Sequence, residues 1–412
     1  MTAAMLQPTV TRLRQRRFKI RFPEDQAFEA ATALETETLA VPVLNPKRRY
    51  LAVTVPEPQV GMVDAEVELD HQLQVLAAMG GEIVEDYQYD LDDPPPAPTT
   101  DSLGNPGLDD VLAQIRATEV WHENRGEGAL IAVVDTGIDG TRPEFPIAKR
   151  KGSWQPLGDA SWTDWKGHGT MCACIAAGTK IAGGAFDGVA PGAGLVACKT
   201  YLFDTELGAI YDYLIGLVDA DPNLRIVATN SFGRKTGSPP VPPVQSDFVD
   251  ALEDAIARGI AVFFSAGNNH ELAGGHPVAC DPNSIWLHKS RADLVSVATC
   301  ELTGPMWHYS SRGPGQHFGD SNTNRKPDVT APTPRNGKVV YGASIRTFPT
   351  GWGTSGACPQ AAGLAALLWS KTPALTPADL YAAIRRGAVD LGHGPDCQGH
   401  GRIDCAASLA LV

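Results

Sequence analysis

From residue 108 onward, short apolar runs alternate with longer stretches of helical periodicity. Residues 129–134, 194–199, 225–229, 260–265 and 294–298 are apolar on successive positions, the pattern of strands covered on both faces. Strands of this kind alternating with helices predict a parallel α/β sheet. Upstream the pattern changes. Residues 18–22 alternate as a strand, 24–35 suit a helix, and 41–44 with 50–55 form a hairpin around Asn45-Pro46. A second helix over 66–79 stops at Gly80-Gly81, and 82–89 alternate as a last strand. That βαββαβ order predicts a small α+β ferredoxin-like domain over residues 1–91. Residues 92–107 hold Pro94, Pro95, Pro96, Pro98 and Pro106 with little that is apolar, the composition of a semi-rigid linker. The remaining unit spans 108–412.

Composition narrows the partners. With 412 residues, 43% hydrophobic and 20% charged, the chain has material for one core of about 300 residues and a smaller companion. A net charge of −13 argues against a nucleic-acid partner, and the first 105 residues hold 17 acidic against nine basic side chains. No apolar run of signal-peptide length follows Arg12, Arg14, Arg16 and Arg17, and no stretch has transmembrane length. The expectation is a cytoplasmic protein that does not enter a membrane, export without a standard signal being the alternative. All eight cysteines lie at or after Cys172, and a reducing compartment would leave them as free thiols.

Candidate chemistry collects where strands end, because parallel sheets place ligands at the carboxyl ends of their strands. Asp135 follows Ile131-Ala132-Val133-Val134, and Asn268 follows Ser265-Ala266-Gly267. His168 sits in Gly167-His168-Gly169-Thr170 ahead of a small-residue helix, and Ser355 in Gly353-Thr354-Ser355-Gly356 opens an apolar one. A serine hydroxyl is a weak nucleophile without a base and oxyanion donors. Singly, each residue has an ordinary explanation as a turn former, a loop histidine or a helix cap.

Together and in this order, the motifs resemble those of the subtilisin-like serine proteases, the subtilases, over nearly all of residues 108–412. The strings 133–139, 167–170 and 353–355 are similar to that family's aspartate, histidine and serine motifs. Residues 188–193, 310–314 and 326–332 are similar to its non-catalytic strings. The resemblance implies a three-layer subtilisin-like domain and a serine endopeptidase. In it Ser355 attacks the peptide carbonyl, His168 moves the proton, Asp135 orients the imidazole, and the Asn268 side chain with the Ser355 backbone NH holds the oxyanion. It further implies that Ser231, Phe232 and Gly233 pair with substrate backbone, and that Ala266 and Gly267 wall the specificity pocket. Its floor falls near residues 271–290, where the preference at the cleaved bond stays open. The order Asp, His, Ser is the one described for subtilisin.

Several positions depart from the family pattern. Gly356 stands where methionine is usual, Gln360 where histidine is common, and Met171 and Cys174 replace a frequent histidine and glycine. Cys172, four residues after His168, is either a buried small side chain or a thiol whose modification would press on His168. His393, Cys397, His400 and Cys405 have no standard zinc spacing, and no metal ligand is assigned. Many subtilases bind calcium, yet no acidic loop here has dependable ligand spacing; the chemistry requires no cofactor.

The 1–91 domain is similar to subtilase propeptides, which act as intramolecular chaperones and inhibitors, and residues 85–90 would approach the cleft. The expected partners are a peptide or protein substrate and this N-terminal domain, a permanent accessory domain being the alternative. Two rivals to hydrolysis remain: a peptide ligase or macrocyclase using the same acyl-enzyme, and a catalytically silent peptide-binding module.

Overall fold

The computed structural model describes residues 16–25, 40–55, 73–93, 99–100, 105–233, 246–281, 283–316 and 323–412. Seven strands form its main sheet, in the order Val329–Pro332, Val295–Cys300, Ala261–Ser265, Arg225–Asn230, Ala129–Asp135, Gly194–Lys199 and Arg150–Trp154. Every neighbouring pair is parallel. The five strands expected from apolar runs are all in it. Their side chains alternate between two buried layers: Ile131 and Val133 face the helices His168–Ala177 and Gly353–Lys371, and Ala132 and Val134 face the helices Asp204–Ala220 and Asp247–Ala257. Both faces are covered, so this is a three-layer α/β unit, as the sequence predicts. Among the described residues no helix is long and apolar enough to cross a membrane.

Upstream, a four-stranded antiparallel sheet has the order Ala40–Asn45, Tyr50–Val55, Arg16–Arg21, Glu82–Glu85. One face buries Ile20, Phe22, Leu51 and Val53 with Leu76, from the described last turns of the second helix, which stops at Gly80 with φ +89°. The rest of that helix, and all but the edge of the helix expected over 24–35, lie outside the described residues.

The other face is docked on the main unit by an apolar patch, Val43, Tyr50 and Ala52 against Ala209, and by charge. Arg17 reaches Glu206 at 2.6 Å and Asp86 at 3.4 Å, Lys19 reaches Asp247 at 2.7 Å, and Arg48 bridges Asp212 and Asp254 at 2.7 Å each. Although the first 105 residues are acidic overall, this docking face is basic, and it meets acidic side chains of the helices Asp204–Ala220 and Asp247–Ala257.

The structure differs from the sequence expectations at three places. The strand expected over 82–89 ends at Glu85; the chain then leaves its own sheet, Gln88 bridging to Phe203 and Asp90–Leu91 pairing antiparallel with Phe232–Gly233. Alternation marks an extended segment but not the sheet it joins. The stretch 92–107, expected as a linker, is also anchored where it is described: Thr99–Thr100 pairs with Ser344–Phe348, and Gly107 bridges to Lys338. The free-thiol expectation fails at one pair, since Cys280 and Cys397, 117 residues apart in sequence, form a disulfide; the other six cysteines are free and buried. Such a pairing depends on tertiary proximity, which spacing does not report.

Candidate active site

Asp135 is the last residue of its strand and His168 the first of its helix. What joins them is the Asp164 carboxylate, which accepts from the backbone NH of Gly167 at 2.7 Å and Thr170 at 2.8 Å and from Thr136 Oγ1 at 2.7 Å. Gly169 completes the approach, because a Cβ there would overlap the carbonyl of Gly137. The His168 ring is fully buried and its Nδ1 lies 2.8 Å and 3.0 Å from the two Asp135 carboxylate oxygens. Burial alone would lower the His168 pKa; the adjacent Asp135 carboxylate, with Cys172, reverses this and holds it well above the usual imidazole value. His168 Nε2 makes no hydrogen bond among the described residues.

Ser355 lies in the first turn of the buried helix Gly353–Lys371, where backbone NH groups lack intrahelical acceptors. Asn268 sits opposite with its amide orientation fixed: Oδ1 accepts from Thr354 N at 3.0 Å and Thr354 Oγ1 at 2.9 Å, which turns Nδ2 toward the cleft. There Nδ2 donates to the carbonyl oxygen of Asp92 at 2.8 Å, and Ser355 Oγ donates to the same oxygen at 2.5 Å. The chain's own backbone carbonyl thus lies between the expected nucleophile and the expected oxyanion donor.

The segment carrying that carbonyl is an added strand. Asp92 NH donates to Ser231 O at 3.0 Å, Leu91 and Asp90 pair with Phe232 and Gly233, and Tyr89 NH donates to Leu202 O at 2.8 Å. The Tyr89 ring is buried with centroids 5.5–5.9 Å from those of Phe232, Phe248 and His288. Gly267 NH donates to Thr354 Oγ1 at 3.2 Å, and Ala266 is buried beside it, so both expected wall residues flank the nucleophile's turn. The Asp92 carboxylate enters the space next to them, accepting from Ser265 Oγ and Lys289 Nζ in short contacts.

The departures from the family pattern have packing reasons. A Cβ on Gly356 would overlap Trp352, and Gln360 Nε2 donates to Pro332 O at 2.8 Å and Gly356 O at 2.9 Å. Met171 and Cys174 are fully buried. Cys172 Sγ lies 3.5 Å from Ser355 O and 3.9 Å from His168 Nδ1, and burial pushes its thiol up to about 11, so little thiolate is present at neutral pH. The four residues weighed for zinc do not come together: Cys397 is disulfide-bonded, and His393 Nε2 meets Gly304 O at 3.1 Å. Asp135, His168 and Cys172 do cluster, their ligand atoms within 4.8 Å of one another, but the first two are already paired.

A family model described as "Subtilase family" matches residues 126–401, which contain Asp135, His168, Asn268 and Ser355 but not the docked segment. The chain belongs to the subtilase family. It is a serine protease, a hydrolase acting on peptide bonds. It is 29% identical over 300 residues to an intracellular serine protease of Paenibacillus polymyxa, covering 70% of this chain and 83% of that protein. To subtilisin E of Bacillus subtilis it is 28% identical over 284 residues, 68% and 66% of the two chains. To a calcium-dependent protease of Nostoc it is 27% identical over 346 residues and spans about half of that protein's length (49%). Among solved structures it is similar in fold to fervidolysin from Fervidobacterium pennivorans, with TM-score 0.59, 18% identity and coverage of 96% of this chain and 61% of that one. Similarity to MycP1 with its propeptide removed has TM-score 0.57 at 22% identity, covering 73% and 96%.

Sequence reading missed Asp92, Asp164 and Lys289. Asp92 opens the proline-rich stretch, whose composition is that of a linker. Asp164 lies in a loop with no motif, and Lys289 in the 271–290 stretch, which carries none of the family strings. Each acquires its role from a partner that is distant in sequence or fixed only by the fold.

Proposed function

We propose that this subtilase is an endopeptidase acting through Asp135, His168 and Ser355, and that its N-terminal domain restrains it by lying in its own cleft. Ser355 Oγ attacks the substrate carbonyl carbon while its proton passes to His168 Nε2; Asp135 holds the imidazole with Nδ1 protonated and balances the imidazolium. The Asn268 amide and the Ser355 backbone NH receive the oxyanion. His168 returns the proton to the leaving amine, and water releases the acyl group by the same steps. These side chains supply nucleophile, base and electrostatic stabilisation, so no metal or cofactor is assigned a step. Structural calcium, raised by the family resemblance and by the name of the Nostoc relative, is assigned no site.

The observation that carries this reading is the Asp92 carbonyl, held by Ser355 Oγ and Asn268 Nδ2 on a strand paired with Phe232–Gly233. A strand added to a sheet edge is how peptides bind such clefts. In this arrangement the Ser355 hydroxyl donates to the carbonyl and not to His168, which supports restraint as the function of the docked segment.

The test is mass spectrometry of a protein substrate digested in the presence of a competing amine. Products each carrying one added water, absent with Ser355→Ala, are expected. Products joined to the amine would make the enzyme a ligase, and an untouched substrate at every stage of incubation would make the cleft a binding module.

A further inference from the structure

We infer that the pocket for the residue preceding the cleaved bond is built for a carboxylate side chain, aspartate first, and that Lys289 sets this preference. The inference rests on the peptidase reading above. Asp92 occupies the position of that residue: its carbonyl meets Ser355 and Asn268, and its NH meets Ser231 O. Its side chain therefore marks the specificity pocket, and what it meets there is an ammonium and a hydroxyl.

Lys289 belongs to the short turn Leu287–Ser290 and is 3% exposed. Its side chain passes between two backbone walls that carry no side chains. A Cβ on Gly233 would stand 2.6 Å from Lys289 Cε and Nζ, and one on Gly267 3.5 Å from Nζ. Glycine at 233 is what lets the lysine reach the pocket floor, whereas it passes Gly267 at ordinary contact distance. Among the described residues Asp92 is the only carboxylate within ion-pair distance of Lys289, and Ser265 Oγ donates to the same Asp92 oxygen. Beyond the cleaved bond, Lys166 pairs with Asp93 at the surface, a weaker contact in solvent.

A buried ammonium without a counter-ion carries an uncompensated desolvation cost. When the docked segment leaves, only an acidic side chain restores the pair. Asparagine has the shape of aspartate but offers a dipole, an apolar side chain offers nothing, and a basic one brings like charges together. Sites that leave a buried polar group unpaired reject an analogue far more strongly than apolar pockets reject a missing methylene. The same geometry makes Asp92-Asp93 the first bond presented. Cleavage there would join Ser355 Oγ to the Asp92 carbonyl carbon, break its bond to Asp93 N with His168 supplying the amine's proton, and end with water releasing the Asp92 carboxylate.

The simpler account is a latch: Lys289 holds Asp92 only to dock the N-terminal segment, with no bearing on substrates. The two part company on peptides added in trans. The full chain is assayed with peptides ending in Tyr-Asp-Leu-X before a fluorogenic amide, X being Asp, Glu, Asn, Leu or Lys. The corresponding free acids are tested as protectants of Ser355 against a fluorophosphonate. We expect Asp to exceed Asn by about 100-fold in kcat/KM or in protection, Lys289→Arg to keep the acidic order, and Lys289→Met to favour Leu over Asp. Labelling of Ser355 without an acidic preference in either assay, or an acidic preference that Lys289→Met leaves intact, overturns the inference while sparing the peptidase reading. Absence of both labelling and hydrolysis overturns the two together.

Discussion

Asn268 shows how a single side chain is prepared for its task. Its oxygen is committed to Thr354 N and Oγ1, so its NH2 faces the cleft, where the proposed mechanism needs a donor that does not have to reorganise. Asn268→Leu should lower kcat by about 100- to 1,000-fold with KM nearly unchanged, as removal of the equivalent donor in subtilisin does; steady-state kinetics on any cleaved peptide measures it. Gly356 is constrained by packing instead. Gly356→Met would push into Trp352, and we expect a stability loss of about 1–3 kcal/mol in denaturant titration. Asp135, His168, Asn268 and Ser355 were legible because each stands in a short string whose backbone geometry is local, a strand end or a helix start. Lys289 was not, because the partner that gives it a role is 197 residues away.

The N-terminal sheet docks through side chains that its sequence alternation assigns to one face without saying what that face meets. Arg17 is the firmest link, buried against Glu206 and Asp86. Arg17→Met would leave these carboxylates buried without it, a cost of about 3–5 kcal/mol, and should speed fluorophosphonate labelling of Ser355 at least about tenfold. The same interface makes docking pH-dependent. Burial raises Asp86 to about 7 against the pull of Arg17, and Asp204 to about 6 against Lys19, with Asp247 nearby adding to the rise at Asp204. Both carboxyls bind protons more tightly docked than free, where the value is about 4. Docking is thus fully stabilised below that value and loses stability as pH rises through 6 to 7. Hydrogen exchange of the strand Arg16–Arg21, corrected for intrinsic rates, should show protection falling between pH 5 and 7.5; protection that rises would contradict the assignment.

Across the molecule, the parallel sheet was the most legible feature, since strands buried on both faces write themselves as unbroken apolar runs. Long-range closures were the least. The Cys280–Cys397 bond ties the 271–290 region, which carries Lys289, to the C-terminal segment. Cross-linking residues so far apart removes freedom from the unfolded chain, and Cys397→Ser should cost about 2–4 kcal/mol, read as a lower Tm; a thermal scan that reduction leaves unchanged would count against it.

In the proposed mechanism Ser355 is an activated nucleophile shielded by its own chain. Peptide mapping of the folded full chain after fluorophosphonate treatment tests it most directly. A single adduct on Ser355 is expected, slow in wild type, faster in Arg17→Met and absent in Ser355→Ala; no adduct in any of the three, or an adduct that persists in Ser355→Ala, would show that Ser355 is not that nucleophile.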